Sequence, residues 1–280
     1  MKLDELTLHP LLRKHVTAYC ADPPHALLVY GKKSSGKATL VRAMAEAMQL
    51  QRIGSTIIEI RPLEDKKVIT IDQIKQLKIA LRTKNLAFRI FLIPDAEQLN
   101  TEAQNTFLKL LEEPPEGVIF ILTTSRQTGL LQTVRSRLLK LRYIAPTKDQ
   151  QLAFARSYTS DPVDTFMLIA DGRIPVLKAI LDTEESNAVL GRIELAKDIL
   201  SESIEARLLR VDTLSKDSQE TEAVLDALLA ACSAALRQTI RNNKDYISWL
   251  KRIRAVEAAL NQIERNVLAK LVLSRLFLVL

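Results

Sequence analysis

Ala26-Leu27-Leu28-Val29-Tyr30-Gly31-Lys32-Lys33-Ser34-Ser35-Gly36-Lys37-Ala38-Thr39 decides the fold. Five apolar residues in a row, closed by a glycine, have the length of a strand buried on both faces. Gly31 and Gly36 then bracket four residues, and a lysine follows directly. A Gly-x₄-Gly-Lys loop between a strand and a helix is the context in which backbone N–H groups curl around phosphate. The opening helix adds partial positive charge there, and a lysine in the place of Lys37 reaches the outer phosphates. A surface turn rich in Gly, Ser and Lys is the plainer alternative, and the strand before and helix after argue against it.

Outward from this loop the same alternation repeats. Ile57 to Ile60, Arg89 to Ile93, Val118 to Thr124 and Leu139 to Tyr143 read as further strands. Thr39–Leu50, Ile71–Thr83 and Thr101–Glu112 space their apolar residues like helices. Asn100 is a good N-cap for the last of these, and Pro114-Pro115 stops it. The pattern predicts a doubly wound α/β domain with a parallel sheet over residues 1–145. After Pro146 the strand signal fades. Lys148 to Asp182 reads as two or three short helices broken at Asp171-Gly172, so 146–185 is expected to form a small helical domain. Residues 186–280 are helical in pattern and are expected to form an all-α bundle. Within it, Thr221 to Arg241 is apolar nearly all round and is expected to be buried among other helices.

Composition bounds the function. The chain has 280 residues, 47% of them hydrophobic, which is enough for a sizeable core. Seven glycines, ten prolines and 5% aromatics disfavour an all-β chain. The formal charge of +7 permits a polyanionic partner without requiring one. Two cysteines exclude a disulfide framework and a four-cysteine zinc module within the chain. Acids at Asp4 and Glu5 interrupt what would be a leader, and no uninterrupted apolar run reaches the roughly 18 residues of a membrane span. The expectation is a cytoplasmic protein with no membrane partner.

The loop lacks its metal chemistry. A hydroxyl should follow the lysine to hold Mg²⁺, and the residue there is Ala38; Thr39 lies one place too late, on another helix face. After the third strand, Ile90-Phe91-Leu92-Ile93-Pro94-Asp95-Ala96-Glu97 puts Pro94 where the metal-organising acid belongs and Asp95 where a catalytic glutamate belongs. A register slipped by one would instead make Asp95 the metal acid. Hydrolysis depends on metal neutralising the phosphate charge. The chain is therefore expected to lack useful ATPase activity of its own, to need no cofactor, and to bind ATP or ADP weakly without Mg²⁺, if at all.

The segment Pro94 to Pro115, with Ala103-Gln104-Asn105-Thr106-Phe107-Leu108-Lys109-Leu110-Leu111-Glu112-Glu113-Pro114-Pro115 at its centre, resembles clamp-loader subunits of bacterial DNA polymerase III, of the AAA+ class and the delta-prime kind. Phe120 to Ser125 resembles the family's sensor-1 strand, with Thr124 at the sensor. Leu131-Gln132-Thr133-Val134-Arg135-Ser136-Arg137-Leu138 resembles its Ser-Arg-Cys motif, with Leu138 in place of the cysteine. His25-Ala26-Leu27-Leu28 fits as well. The likeness covers roughly residues 20–180. The family's four-cysteine insertion after the first helix is missing, so no metal is expected. Gly172-Arg173-Ile174-Pro175 puts Pro175 where active members carry a sensor-2 arginine, with Arg173 close by.

The resemblance implies a subunit with a dead site of its own. Its Arg137, beside Ser136, would reach into a neighbour's ATP site as an arginine finger. The candidate nucleotide-contacting set is Gly31, Ser34, Ser35, Gly36, Lys37, Thr39, Asp95 and Thr124. Implied partners are gamma/tau-type and delta subunits, a sliding clamp met through the complex, and primed DNA. The rivals are an active gamma/tau-type ATPase and an AAA+-derived DNA-binding or regulatory module. Arg126, Arg135, Arg137, Lys140 and Arg142, and the run Arg237 to Arg254, are either solvated faces or phosphate contacts. His9, His15, Cys20 and His25 match no trusted zinc spacing and read as surface or capping residues; Cys232 reads as a small core residue.

Overall fold

The structure is a computed structural model and describes residues 2–280 except 53, 64–65, 67, 83–87, 160–162, 183–185, 243–245 and 266. The chain divides into two compact units, Met1–Gln151 with Gly172–Pro175, and Leu152–Asp171 with Val176–Leu280.

In the first unit α1 (Pro10–Ala21) leads into β1 (Ala26–Tyr30), then α2 (Lys37–Gln51), β2 (Thr56–Glu59), α3 (Ile71–Arg82), β3 (Arg89–Ile93), α4 (Thr101–Glu112), β4 (Val118–Thr124), the short α5 (Gln132–Arg135) and β5 (Leu139–Arg142). The five strands form one sheet in the order β2-β3-β4-β1-β5, and every pairing is parallel. Alternate side chains serve alternate faces. Leu28, Phe91, Ile93, Phe120 and Leu122 pack with α3 and α4. Leu27, Val29, Ile90, Leu92, Ile119 and Ile121 pack with α1 and α2. The residues of β3 and β4 are buried throughout, as continuous apolar runs require. The edge strands differ: β2 and β5 leave side chains exposed because each has a neighbour on one side only.

Boundaries moved by a residue or two. Helix α2 starts at Lys37 rather than Thr39, because left-handed Gly36 (φ 101°) caps it directly after the loop. Strand β2 begins and ends one residue early, and β5 stops at Arg142. Helix α3 runs to Arg82; Thr83 lies outside the described residues. The Asn100 side chain accepts the Ala103 N–H and caps α4 as the sequence suggests. His9 does the same for α1, its Nδ1 accepting from Leu11 N–H.

The helices that follow are α6 (Lys148–Arg156), α7 (Asp164–Ala170), α8 (Ile174–Leu181), α9 (Ser186–Ser201), α10 (Ile204–Leu209), α11 (Val211–Leu214), α12 (Ser218–Arg241), α13 (Ile247–Glu264) and α14 (Ala269–Phe277). The break at Asp171-Gly172 is real, with both residues in positive φ. The second unit holds most of the segment expected as a small helical domain together with the C-terminal helices. Its core gathers Val224, Leu225 and Leu228 of α12 with Ile193, Val256, Leu273 and Phe277. Helix α12 departs from the expectation of burial on all sides: Cys232 is buried, but side chains from Ser233 to Arg237 are half-buried and Ile240 is 52% exposed. Judged by length and mean hydropathy, its span Ser218–Ile240 is one that could cross a membrane, which a search for unbroken apolar runs passes over. Burial of Val224, Leu225 and Leu228 among other helices accounts for that composition.

Phe107 of α4 meets Phe120 of β4 edge to face, with ring centroids 5.0 Å apart, and Phe91 of β3 lies 5.5 Å from Phe120. All three rings are fully buried. Phe107→Ala is expected to destabilise the first unit by about 3–5 kcal/mol, read as a lower urea midpoint.

Candidate functional site

The C-terminal ends of β1, β3 and β4 lie side by side, the place where open parallel sheets bind ligands. Gly31 leaves β1 with its N–H donating to the Thr124 carbonyl. A Cβ on Gly31 would stand 2.9 Å from Tyr143 Cβ, so only glycine lets β1 turn beside β5. Ser34 (φ 56°) and Gly36 both adopt left-handed backbone, which bends the loop into the N-terminus of α2. Pro175 packs on this turn; a Cβ on Gly36 would meet its ring at 3.4 Å and the Tyr143 hydroxyl at 3.3 Å.

Lys37 is buried. Its Nζ donates to the Gly31 carbonyl (3.1 Å), the Lys32 carbonyl (2.6 Å) and Ser125 Oγ (3.3 Å). Burial holds its pKa below lysine's usual value, opposed by the nearby carboxylates of Asp95 and Glu97. Glu97 Oε1 accepts the Ser125 N–H at 2.9 Å, while its Oε2 is buried without a hydrogen-bond partner. The loop is thus tied to the tip of β4 through lysine, serine and glutamate. Asp95 is exposed in left-handed backbone (φ 49°), its N–H donating to Thr123 Oγ1. Thr124 is fully buried, and its Oγ1 accepts from Arg126 N–H. Thr39 is half-buried on α2.

A phosphate fits part of this arrangement. Ser35 Oγ is buried without a partner beside the start of α2, and Lys37 supplies charge. A divalent ion fits poorly. Ala38 offers a methyl group where a hydroxyl would ligate, and buried Pro94 offers no carboxylate.

Arg137 has its bonding partners elsewhere. Its Nη2 pairs with Glu112 Oε1 of α4 at 2.6 Å, and its Nη1 donates to the Thr133 carbonyl at 3.1 Å. Its side chain is 37% exposed. Ser136 Oγ turns back to the same Thr133 carbonyl. Leu138 is buried in the core, so the residue replacing the motif's cysteine fills space. Gln104 of α4 is buried in the turn before α5: its Nε2 donates to the carbonyls of Leu99 and Gly129, and its Oε1 accepts from Leu131 N–H. The structure therefore gathers Gly31, Ser35, Gly36, Lys37 and Asp95 around the loop and mounts Ser136 and Arg137 on a separate platform.

The family described as "DNA polymerase III, delta subunit" matches residues 19–146, the part that carries both loop and platform. Over that span the chain is similar to clamp-loader subunits of the AAA+ class. Among curated proteins, DNA polymerase III subunit gamma of Buchnera aphidicola (Schizaphis graminum) is 32% identical over 135 residues, 41% of this chain and 37% of that protein. DNA polymerase III subunit delta' of Pseudomonas aeruginosa is 27% identical over 180 residues, 56% of this chain and 55% of that protein. The chain spans about half the length, or less, of the curated relatives it matches. A crystal structure of a gamma subunit-related protein from Thermotoga maritima shares the fold, with TM-score 0.55 and 21% identity, over 95% of this chain and 97% of that one.

Reading the sequence alone missed Ser125, Glu97, Tyr143, Gln104 and Glu112 as parts of the loop and platform. A signal existed for Gln104. It lies in the buried stripe of α4 with Ala103, Phe107, Leu110 and Leu111, and a polar residue there must find partners. Glu97 needed the fold, since β3 and β4 bring it to Ser125 across 28 positions.

The basic runs are partly consumed by internal contacts. Arg237 pairs with Asp171, and the Arg252 guanidinium lies 4.9 Å from the Trp249 ring centroid. Lys244 and Asp245 of the second run lie outside the described residues.

Lys37→Ala removes three part-buried hydrogen bonds that the buried lysine makes to the loop and to Ser125. It is expected to lower stability by about 1–3 kcal/mol in urea unfolding without any nucleotide present, because carbonyls are left unpaired.

Proposed function

We propose that this chain is a delta-prime-like, non-hydrolysing subunit of the DNA polymerase III clamp loader. It joins gamma/tau-type and delta subunits in the cytoplasm and supplies Arg137 in trans to a neighbour's ATP site while the clamp is set on primed DNA. One observation carries this reading. The phosphate loop keeps its glycines and lysine but lacks oxygen ligands at Ala38 and Pro94, while Arg137 stands half-exposed away from that loop. A guanidinium is always charged and offers a planar fork suited to phosphate oxygens. It can stabilise charge that develops on a neighbour's γ-phosphate without any metal in its own chain. Residual nucleotide contact at Ser35, Gly36 and Lys37, weak and without Mg²⁺, is compatible with this role; Ser34 and Thr39 flank that contact, and Thr124 stays committed to its own turn.

The 32% identity to a gamma subunit favours a second reading, an active ATPase. It requires Asp95 to act as the metal acid, and Asp95 stands in left-handed backbone two residues beyond β3.

The test is a reconstituted loader in which only the ATP site facing this subunit is competent. Arg137→Ala is expected to leave assembly intact and to slow hydrolysis at that site by at least about tenfold, below the loss seen for arginine fingers elsewhere. The isolated chain is expected to show no Mg²⁺-dependent turnover. Turnover by the lone chain that is lost on Lys37→Ala would favour the second reading.

A further inference from the structure

We propose that Glu112 is a positioning residue for the Arg137 finger, with helix α4 acting as the splint that carries it. The inference rests on Arg137 acting in trans, as read above.

Arginine has five N–H donors in a rigid fork. One is bonded within the chain, Nη1 to the Thr133 carbonyl, and Nη2 is ion-paired with Glu112 Oε1 at 2.6 Å. These two holds, from different elements, fix both the direction and the roll of the plane. A single contact would leave the plane free to spin. The remaining donors, on Nε and on each Nη, stay available, and the side chain is 37% exposed. A free arginine would have to lose several rotamers on meeting a phosphate. One already held gives up less, which is how pre-ordered groups act quickly.

Glu112 sits where its charge is otherwise disfavoured. It is the last residue of α4, where the helix dipole disfavours an anion. The cation of Arg137 offsets that penalty. The same helix sets the approach to the finger. Gln104 bonds Gly129 and Leu131 at the entrance to the α5 turn, and Glu112 bonds the arginine at its exit. Both ends of the finger segment are thus referred to one rigid element, which is anchored in turn by Phe107 against the sheet.

The experiment uses the reconstituted loader with one competent site, and reads single-turnover hydrolysis and ATP affinity separately. Arg137→Ala is measured first; if it changes nothing, the finger reading fails and this inference falls with it. Given an effect there, Glu112→Gln is expected to slow hydrolysis about tenfold, within the range that misplacing a catalytic group costs. ATP affinity, assembly and the urea midpoint of the free chain are expected to stay as they are. Glu112→Asp, which keeps the charge, should recover part of the rate. The double variant with Arg137→Ala should be no slower than Arg137→Ala alone. The inference is overturned if Arg137→Ala slows hydrolysis while Glu112→Gln leaves it unchanged or speeds it, or if the two losses multiply.

Discussion

Strand β1 is hydrogen-bonded along both edges, to β4 on one side and β5 on the other. Each group at the phosphate loop takes its position from that interior strand. Gly31 can leave β1 only because it has no side chain against Tyr143, and its N–H is paired with the Thr124 carbonyl. The loop must then turn back over the tip of β4, which delivers Lys37 to Ser125. A sheet with β1 at an edge would leave the lysine exposed and the loop unsupported.

Within this frame the pocket is already neutralised by the chain itself. Lys37 finds two loop carbonyls and a serine, with the Asp95 and Glu97 carboxylates nearby. A buried ammonium without such partners would be costly. The contacts that keep the loop ordered run through Lys37, Ser125 and Glu97 and do not call on the side chains at Ala38 or Pro94. Chemistry and architecture are decoupled at this site.

Most of the architecture was readable from β-length apolar runs alternating with helical periods, because β1, β3 and β4 are buried on both faces and leave no ambiguity of period. The edge strands β2 and β5 blurred at their ends, since half-exposed residues carry a weaker signal. Helix α12 misled in its second half: an apolar composition does not tell whether neighbouring helices extend far enough to cover Leu236 and Ile240. At the site, residues close in sequence were found and residues joined by the fold were not. The Gly-x₄-Gly-Lys loop is local. The contacts Glu97–Ser125 and Glu112–Arg137 cross 28 and 25 positions and exist only once β3, β4 and α4 are packed.

Gln104 and Glu112 lie eight residues apart on α4, about 12 Å at the pitch of an α-helix. That makes the helix a ruler. The gap between the hinge of the Gly129–Arg137 segment and its tip is measured out by helical rise rather than by the segment's own conformation. Side chains along the segment are then at liberty to drift in chemistry without changing its reach, whereas adding or deleting one residue inside α4 would rotate its far end by a quarter-turn or more and mis-set the span.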